Sequence, residues 1–122
     1  IKILLSFHTF SELILYPWGN QTGGVGGDDQ RVFETMARKM AEWNKYTPKQ
    51  AAGLYVASGD TCDWAYAEHK IFCFTFELTP KFSWGPIGFY PGARVIEPTF
   101  KANIKPALYL IDKSFDPYAV IK

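Results

Sequence analysis

The sequence predicts an α/β fold built on a mixed or parallel sheet, and three stretches carry that expectation. Residues 1–7 are an apolar run with a single charge, Lys2, the pattern of a buried strand. Residues 71–78 alternate. Ile71, Cys73, Thr75 and Glu77 fall on one face, and Phe72, Phe74, Phe76 and Leu78 on the other. Between these strands Val32, Phe33, Met36, Met40 and Trp43 recur at three- and four-residue spacing, which marks one buried helical stripe.

The first run leads directly into His8-Thr9-Phe10-Ser11, so polar side chains gather at the carboxyl end of a strand, where ligand sites of open α/β sheets lie. Pro17-Trp18-Gly19 is a turn signal. Four glycines between Gly23 and Gly27 are not a phosphate-binding loop, because no Gly-Lys-Ser/Thr follows and no strand precedes; a surface loop is expected. Asp28 and Asp29 are expected to cap the helix that follows. Leu54–Ala57 reads as a short strand or loop entry, Ser58-Gly59-Asp60-Thr61 as a turn, and Asp63–His69 as a short helix capped by Asp63. Residues 80–92 form a Gly-, Pro- and aromatic-rich loop. Residues 94–112 follow a helical pattern that Pro106 is expected to kink or split.

With 122 residues the chain is one compact domain or part of a larger one. Hydrophobic residues make up 48% and charged residues 20%, which excludes a disordered chain. The net charge is +1 with no Lys/Arg cluster, so the electrostatic footprint of nucleic-acid or membrane-surface binding is missing. No apolar run approaches the ~20 residues of a membrane crossing. The chain opens on a strand without an initiator Met or signal peptide, so a processed or excised piece is expected. Cys62 and Cys73 make no CxxC unit; they allow one disulfide or two buried thiols.

Three islands carry more specific information: His8-Thr9-Phe10-Ser11 through Tyr16-Pro17-Trp18-Gly19, Tyr55-Val56-Ala57-Ser58-Gly59-Asp60-Thr61-Cys62-Asp63-Trp64, and Phe74-Thr75-Phe76-Glu77-Leu78. Their order and spacing resemble the M14 zinc carboxypeptidases of the carboxypeptidase A/B type. The Ser-Gly-Asp-Thr segment is most similar to the bacterial carboxypeptidase T branch. The resemblance implies that residues 1–122 are the C-terminal half of a catalytic domain with the mixed-sheet, phosphorylase/hydrolase-like fold. It implies that His8 is one of three zinc ligands, Glu77 the general base and Tyr55 a mobile tyrosine closing over the substrate. It implies that the Thr9 carbonyl contacts water or substrate and that Phe10 sits at an outer subsite. Leu15, Gly19, Leu54, Ala57, Asp60, Cys62 and Thr75 match positions lining the pocket for the C-terminal side chain, and cis peptides are implied near His8–Phe10 and at Pro17–Trp18. Because the face holding Cys73 and Thr75 points toward that pocket, Cys62 and Cys73 are expected to lie close.

The chemistry suits those residue types. A catalytic zinc takes three protein ligands and a water, the metal acidifies that water, and a neighbouring carboxylate takes the proton and passes it to the leaving amine. The family's other two ligands, a His-x-x-Glu motif, have no counterpart, since His8 and His69 are the only histidines and neither begins such a motif. The arginines that hold the substrate carboxylate are equally without counterpart. The expectation is therefore a Zn2+-dependent, secreted carboxypeptidase acting on the C-termini of peptides or proteins with hydrophobic and tolerably basic last residues. The chain alone is expected to be inactive, and to associate through its cut sheet edge with the N-terminal half of the domain or with a copy of itself. The alternative is a non-catalytic binding or assembly module that kept the fold.

Overall fold

Four strands form one mixed sheet in the computed structural model, which describes all 122 residues. They are β1 (Ile3–Thr9), β2 (Leu13–Tyr16), β3 (Thr47–Gln50) and β4 (Phe72–Leu78), in the spatial order β1-β4-β2-β3. β1 runs parallel to β4, β2 antiparallel to β4, and β3 parallel to β2. Three helices accompany the sheet: α1 (Gly27–Asn44), α2 (Thr61–His69) and α3 (Ile96–Lys113). α1 is the crossover between parallel β2 and β3, as such a connection requires.

The alternation of β4 divides the molecule. Phe72, Phe74 and Phe76 face α1 and form the main core with Ile14, Val32, Phe33, Met36, Met40 and Leu110. Phe33 is its hub, with ring centroids 5.0 Å from Phe72 and 5.4 Å from Phe74 in edge-to-face contact. On the opposite face Cys73, Thr75 and Glu77 stand in register with Leu4, Ser6 and His8 of β1, and Cys62 and Ala65 of α2 pack there on Cys73.

Several local expectations change. The helical stripe ends on buried Asn44 rather than on Trp43, which is half-buried beside Tyr109. The cap of α1 is Gly26; Asp28 and Asp29 lie in its first turn, where negative charge complements the helix dipole, and Asp29 accepts hydrogen bonds from the Tyr66 and Tyr118 hydroxyls. The cap of α2 is Asp60 rather than Asp63: its Oδ1 accepts from the backbone N–H of Cys62 at 2.6 Å and of Asp63 at 3.1 Å. Residues 54–57 are loop, following a short 3-10 turn at Ala51–Gly53. α3 continues through Pro106, which is fully buried, and is not split. The peptides Thr9–Phe10, Pro17–Trp18 and Thr79–Pro80 are cis.

Candidate active site

The carboxyl ends of β1 and β4 place His8 and Glu77 side by side. The two are register partners, so their side chains leave the same face. His8 Nδ1 lies 3.9 Å from Glu77 Oε1, and His8 Nε2 lies 3.0 Å from Ser6 Oγ on the same strand. The side chain of Glu77 is 14% exposed and that of His8 57%. Burial pushes the Glu77 carboxyl above its usual range, and the neighbouring His8 opposes that shift.

A cavity of about 110 Å³ opens beside this pair. Among the residues singled out in the sequence, His8, Leu15, Gly19, Leu54, Tyr55, Ala57, Asp60, Cys62, Thr75 and Glu77 all border it. Five separate segments are gathered here: the end of β1, the end of β4, β2 with the following turn, the loop 54–57, and the start of α2. Tyr16, Pro17 and Ala51 also border the cavity. Tyr16 and Pro17 stand in the first island without a pocket role assigned to them, and Ala51 has only its nearness to the Leu54 loop as a signal. Tyr55 is 68% exposed on its loop.

Thr9 and Phe10 do not border the cavity. Strand alternation turns the Thr9 side chain to the opposite face, where it lines a separate groove with Phe7 and Leu78. Phe10 packs edge-to-face on Phe89, with centroids 5.1 Å apart, over the backbone of Gly88. A Cβ at Gly88 would lie 2.4 Å from the Phe10 ring, so a larger residue there would have to displace that ring.

Cys62 and Cys73 form a disulfide, which settles the open choice between a bridge and two thiols. It joins the first turn of α2 to β4 beneath the cavity, with Cys62 Sγ 3.5 Å from the Thr75 hydroxyl. The interpretation of Asp63 as a cap misses its real contacts. Asp63 is 7% exposed; its Oδ1 accepts from Gly19 N–H at 2.8 Å and its Oδ2 from Asn20 N–H at 2.9 Å.

His8 is the one imidazole at the site, with one carboxylate beside it. Nowhere do three His, Cys, Asp or Glu side chains converge as a metal centre needs. The chain's own residues thus offer one imidazole and one adjacent carboxylate, fewer than the three ligands a catalytic zinc takes.

The zinc carboxypeptidase model of peptidase family M14 matches residues 1–105. A zinc carboxypeptidase of Saccharothrix mutabilis subsp. capreolus is 40% identical over 107 residues, covering 84% of this chain and 24% of that protein. Human carboxypeptidase A1 is 33% identical over 124 residues, covering 97% of this chain and 29% of that protein. The crystal structure of thrombin-activatable fibrinolysis inhibitor superimposes with a TM-score of 0.77 at 26% identity, over 93% of this chain and 30% of that one. The chain thus spans about a quarter to a third of the length of these relatives. With the family model covering most of its length, the chain belongs to the zinc carboxypeptidases of peptidase family M14.

Proposed function

We propose that this chain is the C-terminal part of a metallocarboxypeptidase catalytic domain and hydrolyses C-terminal peptide bonds only when the N-terminal part completes the site. The observation that carries this reading is the His8–Glu77 pair at the mouth of a small cavity. A bound zinc ion supplies Lewis acidity and an acidified water. His8 offers one ligand through its imidazole. Glu77 accepts the proton of the attacking water on a carboxylate oxygen and returns it to the leaving amine. The Tyr55 phenol closes over the last residue of the substrate and excludes water. Leu15, Gly19, Leu54, Ala57, Cys62 and Thr75 hold the C-terminal side chain, while the Thr9 carbonyl and Phe10 serve positions further out along the substrate.

The cavity favours hydrophobic C-terminal residues, because its floor at Cys62 is uncharged. Asp60 allows basic ones, because its carboxylate also borders the cavity. The disulfide suits an oxidising, extracellular setting, and no helix is long and apolar enough to cross a membrane.

A second observation supports the missing partner. β1 is an edge strand, and beside it Ile96, Phe100, Ile104, Leu108 and Ile111 run down α3 as an exposed apolar stripe. Phe7, Phe100 and Ile104 line a groove of about 510 Å³ on the face of β1 away from His8. An unpaired edge beside an apolar stripe seeks a strand and a covering layer. The N-terminal part of the domain supplies both; self-association is the competing outcome.

Isothermal titration tests the reading, using zinc with the chain alone and with the N-terminal half of a related carboxypeptidase. Weak binding alone that turns tight and His8-dependent on mixing is expected. No binding after the halves have been shown to associate would overturn it and leave a non-catalytic module. Tight binding by the chain alone would place the metal elsewhere.

A further inference from the structure

We propose that Asp63 is the positioning residue of the side-chain pocket, a role that rests on the carboxypeptidase reading above. The carboxylate is buried on α2 and spends both oxygens on consecutive amides of one turn, Gly19 and Asn20. Such charge-assisted bonds are short and directional. Gly19 is itself a wall of the pocket. Its carbonyl in turn accepts from the Ala57 N–H at 3.0 Å, and Ala57 lies two residues beyond Tyr55 on the same loop. One carboxylate therefore fixes the wall at Gly19 directly and the Tyr55 loop through Gly19. The base of α2 that carries Asp63 is held by the Asp60 cap and by the Cys62–Cys73 bridge to β4, the strand of Glu77. The pocket walls and the catalytic strand thus share one rigid frame.

Asp63 touches neither the cavity nor the His8–Glu77 pair, so it acts on how well the C-terminal side chain is held rather than on the proton transfer. In Asp63→Asn the amide keeps one acceptor oxygen and turns an NH2 toward the other N–H, so one of the two bonds becomes a donor–donor clash.

Two readouts test this. Amide hydrogen exchange on the chain needs no activity. The Gly19 and Asn20 amides are expected to be protected in the wild type, and to exchange at least about 10-fold faster in Asp63→Asn while Phe74 is unmoved. Unprotected Gly19 and Asn20 in the wild type would overturn the proposal even if the variant failed to fold. The second readout uses the chain complemented by an N-terminal half. The ratio of kcat/KM for peptides ending in Phe over those ending in Ala is expected to fall by about 10-fold in Asp63→Asn, through KM. A merely structural role lowers both substrates equally, and an unchanged ratio sinks the proposal. Should the complemented wild type cleave neither peptide, the carboxypeptidase reading fails, and the exchange data still decide what Asp63 holds.

Discussion

His8 and Glu77 are register partners across parallel strands, with 3.9 Å between Nδ1 and Oε1 and with the carboxylate the more shielded of the two. The pairing follows from the strand register, since any slip by one residue sends one of them to the core face. The relation assigns different tasks to the two groups. In the reading proposed above, the more open imidazole offers a metal ligand, and the shielded carboxylate, its pKa raised by burial, takes the proton. Glu77→Gln in the complemented enzyme is expected to lower kcat by about 10²–10⁴-fold, the scale of a general base. Zinc affinity measured by titration should hold. A loss of affinity of the size found for His8→Ala would instead place Glu77 among the ligands.

The same shift predicts a pH dependence of stability. Glu77 binds its proton more tightly folded than unfolded. Between the ordinary carboxyl value of 4.5 and the raised folded value, the native state carries the extra proton, so stability falls as pH rises through that window. Above the window the buried charge is a standing cost, and below it there is none. Glu77→Gln should therefore be more stable than the wild type in urea unfolding at pH 7, and should show no such gain at pH 3. An equal difference at both pH values would mean that packing, not charge, sets the effect.

β4 was fully legible in the sequence, because Phe72, Phe74 and Phe76 alternate with Cys73, Thr75 and Glu77 and both faces are used. The stripe of α1 was legible for the same reason. β3 was not: Thr47-Pro48-Lys49-Gln50 is polar and contains a proline, and it stands as a strand only because it lies on the sheet edge, where a missing N–H is tolerated. Pro106 reads as a helix breaker, yet α3 runs through it as one helix with the proline fully buried. The site residues carried a pattern in the chain, while the role of Asp63 did not. Its partners lie 44 and 43 residues away and are backbone amides, which leave no mark on the sequence.

The Cys62–Cys73 bridge closes a short loop of sequence separation 11. Replacing both cysteines by serine is expected to cost about 2–3 kcal/mol, on the entropy scale of a loop this size. Tm should fall by roughly 10 °C. Guanidinium unfolding with and without reductant checks this, and a double variant as stable as the oxidised chain would show that the loop is already ordered without the bridge.

Asp29 accepts from two phenols, Tyr66 and Tyr118. The bond to Asp29, followed by burial, pushes Tyr118 up to about 12, while Tyr66 is raised first by burial and then by the same bond. A raised phenol contributes stability below its unfolded value of 10.0 and loses it as pH climbs toward 12. In Asp29→Asn, absorbance titration of tyrosinate should show Tyr118 ionising nearer 10, with a smaller change for Tyr66. The loss of stability between pH 10 and 12 should be shallower than in the wild type. A titration curve identical to that of the wild type would remove Asp29 from the account.

Asn103 ties together three elements that meet behind the sheet. Its Oδ1 accepts from Asn44 Nδ2 at 3.1 Å, and its Nδ2 donates to the Tyr46 hydroxyl at 3.1 Å and to the Thr99 carbonyl at 2.9 Å. Asn44 Oδ1 closes the network on the Tyr46 N–H at 3.0 Å. Asn44 and Asn103 are each 6% exposed, so neither has water to fall back on. Asn44 ends α1, Tyr46 leads into β3 and Asn103 sits mid-way along α3, so the network fixes how the two long helices meet. Asn103→Ala leaves the Asn44 amide and the Tyr46 hydroxyl without their partner in a buried setting. The loss is expected at about 2–3 kcal/mol in urea unfolding, the desolvation of two neutral groups. Asn103→Leu should be no better, because it fills the space without satisfying them. If the leucine variant instead recovers wild-type stability, packing volume rather than hydrogen bonding holds α1 to α3.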